Sequence, residues 1–129
     1  MPDRLHIIVT SGTREKLQMA AMTAAVAGVG GADVDVFVSM NALTYFRVVG
    51  ASAAPCEGEV GRLLESKRAP EFLELFEQAV ELAAVKIYPC SMAMDVLSLK
   101  PSDLAPYLEH PLGLTKFLSD IDGSHVLTF

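Results

Sequence analysis

Of the side chains that could do covalent chemistry, Cys90 occupies the most favourable position. The segment VKIYPCSMAMDVL joins a short β-type run, Val85–Tyr88, to a helical pattern, Ser91–Leu99. Cys90 is therefore placed at the carboxyl end of a predicted strand and the amino end of a predicted helix. Backbone N–H groups and the positive end of the helix dipole favour a thiolate at such a position. We predict that Cys90 is a nucleophile. The alternative is a buried structural cysteine, since free cysteine is among the most buried residue types.

The second cysteine, Cys56, lies in an irregular part of the chain, and two interpretations of it stay open. It could act as a resolving thiol for Cys90, or it could be incidental, and the adjacent Glu57 opposes formation of a thiolate. The chain has no CxxC motif, which excludes a thioredoxin-type dithiol. The two cysteines and three histidines show none of the spacings of a zinc site, so we expect no metal.

No histidine lies close to Cys90 in the sequence. A Cys–His pair would need His6, His110 or His125 to be brought in by the fold. His6 lies inside a predicted strand and His110 precedes a helix, so neither is an obvious base. This disfavours acyl transfer. Sulfur chemistry fits better, because a thiolate at a helix end can attack and hold a sulfur atom without a dedicated base.

Small and polar residues that follow the predicted strands are candidates for a substrate pocket beside Cys90. The hydroxyls and backbone N–H groups of Ser11, Gly12 and Thr13 could hold an oxyanion at a helix start. Helix capping with a tight turn is the favoured alternative, because the loop lacks a P-loop lysine and a dinucleotide-binding glycine pattern. The remaining predicted pocket residues are Asn41, Ser91 and Met92.

The β-type runs alternate with helical patterns along the chain. The β-type runs are Leu5–Thr10, Asp33–Val38, Val85–Tyr88 and Ser124–Thr128. The main helical patterns are Arg14–Val29, Asn41–Phe46, Pro70–Ala83 and Ser91–Leu99, with another that begins at Pro111. This alternation predicts βαβ units in a doubly wound, mainly parallel sheet with helices on both faces. In such sheets ligands bind beyond the carboxyl ends of the strands, where Cys90 is predicted to lie.

The chain length favours a single domain over residues 1–129. Between residues 48 and 69, glycines and prolines break any long pattern. This composition predicts an irregular mobile segment with about one helical turn near Glu59–Leu64.

The composition limits the classes of partner. Hydrophobic residues make up 51% of the chain and the mean hydropathy is +0.37, so we expect a sheet buried on both faces and self-association. The net charge of −6 argues against nucleic acid or an anionic membrane surface. The amino terminus shows no signal-peptide pattern, and two cysteines without an export signal predict a reducing compartment, the cytoplasm.

Four segments together resemble a known family. LHIIVTSGT, the Ala-rich helix that follows it, DVDVFVSMNA and above all VKIYPCSMAMDVLSL are similar to the DsrE/DsrF-like family of small sulfur-transfer proteins, in its peroxiredoxin-like branch. The resemblance implies a flavodoxin-like fold, for which we expect a five-stranded sheet, and a homo-oligomer without an organic cofactor. It also implies that Cys90 carries a persulfide or thiosulfonate exchanged with TusA-like sulfur-carrier proteins and small sulfur compounds. Cys56 resembles a second cysteine found in some members.

Three functions remain open from the sequence. The first is a sulfurtransferase or sulfur carrier that uses Cys90. The second is a thiol redox protein in which Cys56 and Cys90 form a reversible disulfide. The third is a non-enzymatic oligomeric scaffold that binds a small molecule such as a nucleotide or flavin.

Overall fold

The computed structural model describes all 129 residues, and its strands and helices alternate along the chain. In chain order the elements are β1 Arg4–Val9, α1 Arg14–Val29, β2 Asp33–Val38, α2 Met40–Thr44, α3 Glu59–Ser66, α4 Phe72–Leu82, β3 Val85–Pro89, α5 Ser91–Val96, α6 Leu114–Ser119 and β4 His125–Thr128. A short 3₁₀ helix at Pro101–Asp103 lies between α5 and α6.

The four strands form one sheet in the order β3-β2-β1-β4, and every neighbouring pair is parallel. The expectation of a fifth strand is wrong. The stretch between α2 and α4 is interrupted at Gly50 and Pro55 and forms α3 instead of a strand. The stretch between α5 and β4 contains Pro101, Pro106 and Pro111, and proline cannot donate a hydrogen bond to a central strand.

Helices cover both faces of the sheet, as the strand–helix alternation predicts. Side chains alternate between faces along a strand, so Leu5 and Ile7 on β1 point away from the face that carries His6. On the Leu5 face, α1 and α4 pack against each other and against the strands. On the His6 face, the α6 residue Phe117 packs its ring 5.0 Å from the rings of both His6 and Phe37.

Small side chains let α1 approach its neighbours closely. Ala20, Ala21 and Ala24 on this helix are fully buried. A Cβ atom added at Gly28 would lie 2.7 Å from Val85 Cγ2 on β3. Any larger residue at position 28 would therefore push the end of α1 away from the sheet.

The segment predicted to be irregular contains a helix of eight residues, α3, and its start is anchored to α1. The carboxylate of Glu15 accepts hydrogen bonds from the backbone N–H groups of Glu57 (2.8 Å), Gly58 (2.8 Å) and Gly61 (3.2 Å). These hydrogen bonds lower the pKa of Glu15 from its ordinary value of 4.5, because they stabilise the ionised form. The stabilisation from this anchor is therefore complete above pH 4.5, and it is lost as the pH falls through the lowered pKa of Glu15 in the folded chain.

The substitution Gly61→Ala should release this anchor. A Cβ atom at position 61 would lie 2.5 Å from a Glu15 oxygen, so the carboxylate must move and lose its backbone donors. Gly58→Ala is the matched control, because a Cβ atom there meets nothing within 4 Å. We expect the amide of Glu57 to exchange with solvent about tenfold faster in Gly61→Ala than in the control, measured by NMR. Equal exchange in the two variants would contradict this role of Glu15.

Candidate functional site

The loops that follow β1 and β2 meet at the carboxyl edge of the sheet, as the parallel topology requires. The N–H group of Ala42 donates to the carbonyl oxygen of Thr10 at 3.2 Å. A Cβ atom on Gly12 would lie 2.8 Å from a ring carbon of Tyr45 and 2.9 Å from Asn41 Cβ. Glycine at position 12 therefore allows the first loop to pack directly against α2, and it brings the predicted pocket residues Gly12 and Asn41 together.

Cys90 lies at the predicted junction, between the end of β3 and the start of α5. Its N–H group donates to the Val38 carbonyl oxygen at 2.9 Å, and its own carbonyl oxygen accepts from Met94 N–H at 3.0 Å. These bonds tie Cys90 to both β2 and α5. The residue is only 4% exposed and belongs to the hydrophobic core. Any chemistry of the thiol therefore requires neighbouring side chains to move.

An open groove beside the Cys90 junction contains two of the predicted pocket residues, Asn41 and Met92. We call it the methionine groove. It has a volume of about 140 Å³ and is lined by Met40, Asn41, Met92, Ala93, Val96 and Leu97. Met40 and Met92 are both half exposed, at 52% and 50%. Met40 also has a φ of 52°, an uncommon backbone conformation for a residue other than glycine.

Several donors of the predicted oxyanion loop are engaged within the protein. The N–H groups of Thr10 and Ser11 both donate to the Phe129 oxygen, at 2.9 and 3.3 Å. Thr13 occupies the N-cap position of α1, but its hydroxyl donates to Glu57 at 2.6 Å and makes no capping hydrogen bond to the helix. Ser91 does not line the methionine groove, and its N–H donates to the Leu112 carbonyl oxygen.

Both cysteines are free thiols, and they lie in different environments. Cys56 is partly exposed, whereas Cys90 is buried. Partial burial raises the pKa of Cys56 from its ordinary value of 9.0, and the Glu65 and Glu15 carboxylates raise it further. The positive charges of Arg62 and Arg14 oppose this effect. Cys56 is thus held as the neutral thiol at neutral pH.

The structure reveals a polar cavity that sequence reasoning missed, on the α6 side of the sheet. Its volume is about 110 Å³, and its lining includes His6, Asp35, Tyr88 and His110. His6 is 1% exposed; its Nδ1 lies 2.7 Å from Ser124 Oγ and its Nε2 lies 3.5 Å from an Asp35 oxygen. The sequence feature that could have indicated this cavity is a pair of polar residues, His6 and Asp35, within mostly apolar strands.

Burial favours the neutral forms of His6 and Asp35. Desolvation lowers the pKa of His6 from its ordinary 6.5, although the Asp35 carboxylate acts in the opposite direction. Desolvation raises the pKa of Asp35, against the effect of His6 and Lys86. It also raises the pKa of Tyr88 in the same cavity.

The buried histidine should make stability depend on pH. The unfolded chain takes up a proton on His6 more readily than the folded chain below pH 6.5, so the free energy of unfolding should fall as the pH drops through that region. Urea unfolding at about pH 5 and about pH 7.5 measures this difference. It should be smaller in His6→Gln than in wild type and unchanged in His125→Gln, a histidine on the exposed β4 strand. An equal pH dependence in wild type and both variants would show that His6 is not responsible.

The carboxyl-terminal part of the chain matches a known family. Residues 53–129, which include Cys56, Cys90 and α6, match the DsrE/DsrF/DrsH-like family. The chain belongs to the DsrE/DsrF/DrsH-like family. The sequence resemblance to this family is confirmed, and the family is generally linked to sulfur transfer.

Solved structures share the fold of this DsrE-like chain at low sequence identity. The protein of unknown function MTH1491 from Methanobacterium thermoautotrophicum superposes with a TM-score of 0.64 at 8% identity, covering 98% of each chain. The ychN protein from E. coli superposes with a TM-score of 0.62 at 18% identity, covering 100% of each chain. At these identities the likeness shows the fold alone. No curated protein matches the sequence, and none of the helices has the length and apolar character needed to cross a membrane.

Proposed function

We propose that this DsrE-like protein is a sulfurtransferase or sulfur carrier that holds sulfane sulfur or a thiosulfonate on Cys90. The observation that carries the proposal is the position of Cys90 at the β3–α5 junction, within the part of the chain that matches the family. Membership of a family linked to sulfur transfer supports the same chemistry. We propose that the protein works in the cytoplasm and exchanges sulfur with a TusA-like carrier protein.

The transfer step needs only thiolate–sulfur exchange. The Cys90 thiolate attacks the outer sulfur of a donor persulfide, a new S–S bond forms on Cys90, and the donor leaves as a thiolate. The reverse exchange passes the sulfur to the acceptor thiol, so no external oxidant or reductant is consumed. A buried persulfide would be protected from water and from competing thiols.

We propose that the methionine groove is the route by which Cys90 becomes accessible. Met92 follows the cysteine closely in the sequence, and Met40 faces the same groove from α2. Unbranched thioether side chains change conformation at low cost and contact sulfur favourably. Asn41, in the same groove, is the polar group suited to contact a sulfur substrate. The Thr13 hydroxyl would take part only after leaving Glu57, and the backbone N–H groups of Ser11 and Ser91 only after leaving Phe129 and Leu112.

Intact-mass measurement tests the sulfur-bearing role of Cys90. After incubation with thiosulfate, tetrathionate or a persulfide donor, wild type should gain a labile sulfur adduct that reducing agents remove. The adduct should persist in Cys56→Ser and disappear in Cys90→Ser, because only Cys90 lies at the strand–helix junction. An adduct that is absent from wild type, or that survives in Cys90→Ser, would rule out the proposal. A loss of two hydrogen masses in wild type that disappears in Cys56→Ser would instead support the disulfide alternative.

We also propose that the protein is a homo-oligomer that uses the face formed by α1 and β4. A groove of about 510 Å³ lies there, and its walls include Leu5, Met19, Met22, Val26 and Leu127. None of its lining residues is Asp, Glu, Lys or Arg. Two copies with a net charge of −6 repel each other least where both present an uncharged apolar face.

A charge placed in this groove should separate the copies. Val26 is 61% exposed on α1, and Val60 on α3 is 63% exposed and outside the groove, so the two valines form a matched pair. We expect Val26→Glu to lower the molar mass measured by light scattering after size exclusion, and Val60→Glu to leave it at the wild-type value. A monomeric wild type, or equal behaviour of the two variants, would contradict this interface.

A further inference from the structure

Arg14, at the start of α1, is a charged side chain in an unusual state of burial. It is 2% exposed, and its Nη1 donates to Glu71 at 2.6 Å. Its guanidinium carbon lies 5.8 Å from the centre of the Phe72 ring. No protein acceptor lies within hydrogen-bonding reach of Nε or Nη2, although both atoms are buried. Buried guanidinium donors are normally all engaged, since each unpaired donor has lost its contact with water.

The two unpaired atoms form one edge of the guanidinium group. Nε–H and Nη2–H point in the same direction, and this pair is the fork that binds two oxygens of one planar or tetrahedral anion. A single acceptor group with two oxygens would therefore satisfy both donors at once. The Nη1 bond to Glu71 does not compete, because it uses a different nitrogen.

Arg14 lines a cavity of about 110 Å³, which we call the Arg14 cavity. Its walls come from the segment before α3, from Glu65 on α3 and from the start of α4: Ser52, Ala53, Ala54, Glu65, Glu71, Phe72 and Leu73. One water needs only about 10–15 Å³ of such space, so the cavity can take a small molecule. It shares no residue with the methionine groove.

We propose that the Arg14 cavity binds a small oxyanion, whose two oxygens reach the Nε–Nη2 edge of Arg14 once the side chains that now cover both nitrogens move aside. Carboxylates and sulfur oxyanions share this two-oxygen chemistry. Arg14 is the only cationic side chain of the lining. The two acidic residues, Glu65 and Glu71, are both exposed. Water therefore screens their repulsion of an anion more than it screens the attraction of the anion to the buried guanidinium.

The site is separate from sulfur transfer at Cys90, so the experiment uses the Cys90→Ser background, where that chemistry is absent. Thermal unfolding is followed at constant ionic strength while chloride is replaced by formate, acetate, sulfite or thiosulfate. Binding to the folded state alone gives a rise in Tm that follows a saturation curve. A general salt effect raises Tm without saturation and by the same amount in every variant. Comparing formate and acetate with sulfite and thiosulfate shows whether the cavity prefers carboxylates or sulfur oxyanions.

Three variants locate the effect. Arg14→Lys keeps the positive charge but lacks the fork, and Ala53→Leu fills the exposed wall of the cavity while leaving Arg14 intact. Ala51→Leu is the matched control, since Ala51 is exposed and does not line the cavity. We expect the apparent affinity to fall about tenfold or more in Arg14→Lys and in Ala53→Leu, and to be unchanged in Ala51→Leu. The proposal is overturned by a rise in Tm without saturation for all four anions, or by equal responses of all variants.

Discussion

The backbone hydrogen bonds that hold β1, β2 and β3 in parallel register determine where chemistry can occur in this protein. Parallel strands all end at the same edge, so the loops that follow them emerge side by side. This constraint brings Gly12 against Asn41, and it ties the N–H group of Cys90 to Val38 at the end of β2. Residues far apart in the sequence thereby surround one junction. The same register pairs His6 on β1 with Asp35 on β2.

Helix α1 connects most of the remaining structure to the sheet. Its inner surface of alanines and Gly28 allows close packing on the strands and on α4. Its first turn carries two adjacent residues with different tasks. Arg14 pairs with Glu71 before α4, and Glu15 holds the start of α3 through backbone donors. The stretch between α2 and α4 is thus anchored by charges on the first turn of α1, in addition to its own contacts with the core.

Burial of Cys90 bears directly on the proposed sulfur chemistry. A thiol that is 4% exposed is a poor target for most reagents in solution, and a persulfide in the same position would be equally protected. Protection and transfer then require two arrangements of the side chains around Cys90, the present one that buries the thiol and another that exposes it. Flexible methionines at the groove surface are suited to such a change because their thioether chains repack at low cost. Cys56, partly exposed and held as a thiol by partial burial and by nearby carboxylates, lies in a different setting.

The sequence alone was sufficient for the parallel α/β architecture, the positions of four strands and the location of Cys90 at a strand–helix junction. Those features depend on local patterns: apolar runs, helical periodicity, and glycine or proline at the ends. The expected fifth strand was wrong because it came from the general fold and no β-type run of the chain supports it. Tertiary structure alone decided the burial of Cys90, the engagement of Ser11 with Phe129 and the open edge of Arg14. These properties depend on which distant groups meet, and neither sequence spacing nor residue type encodes such contacts.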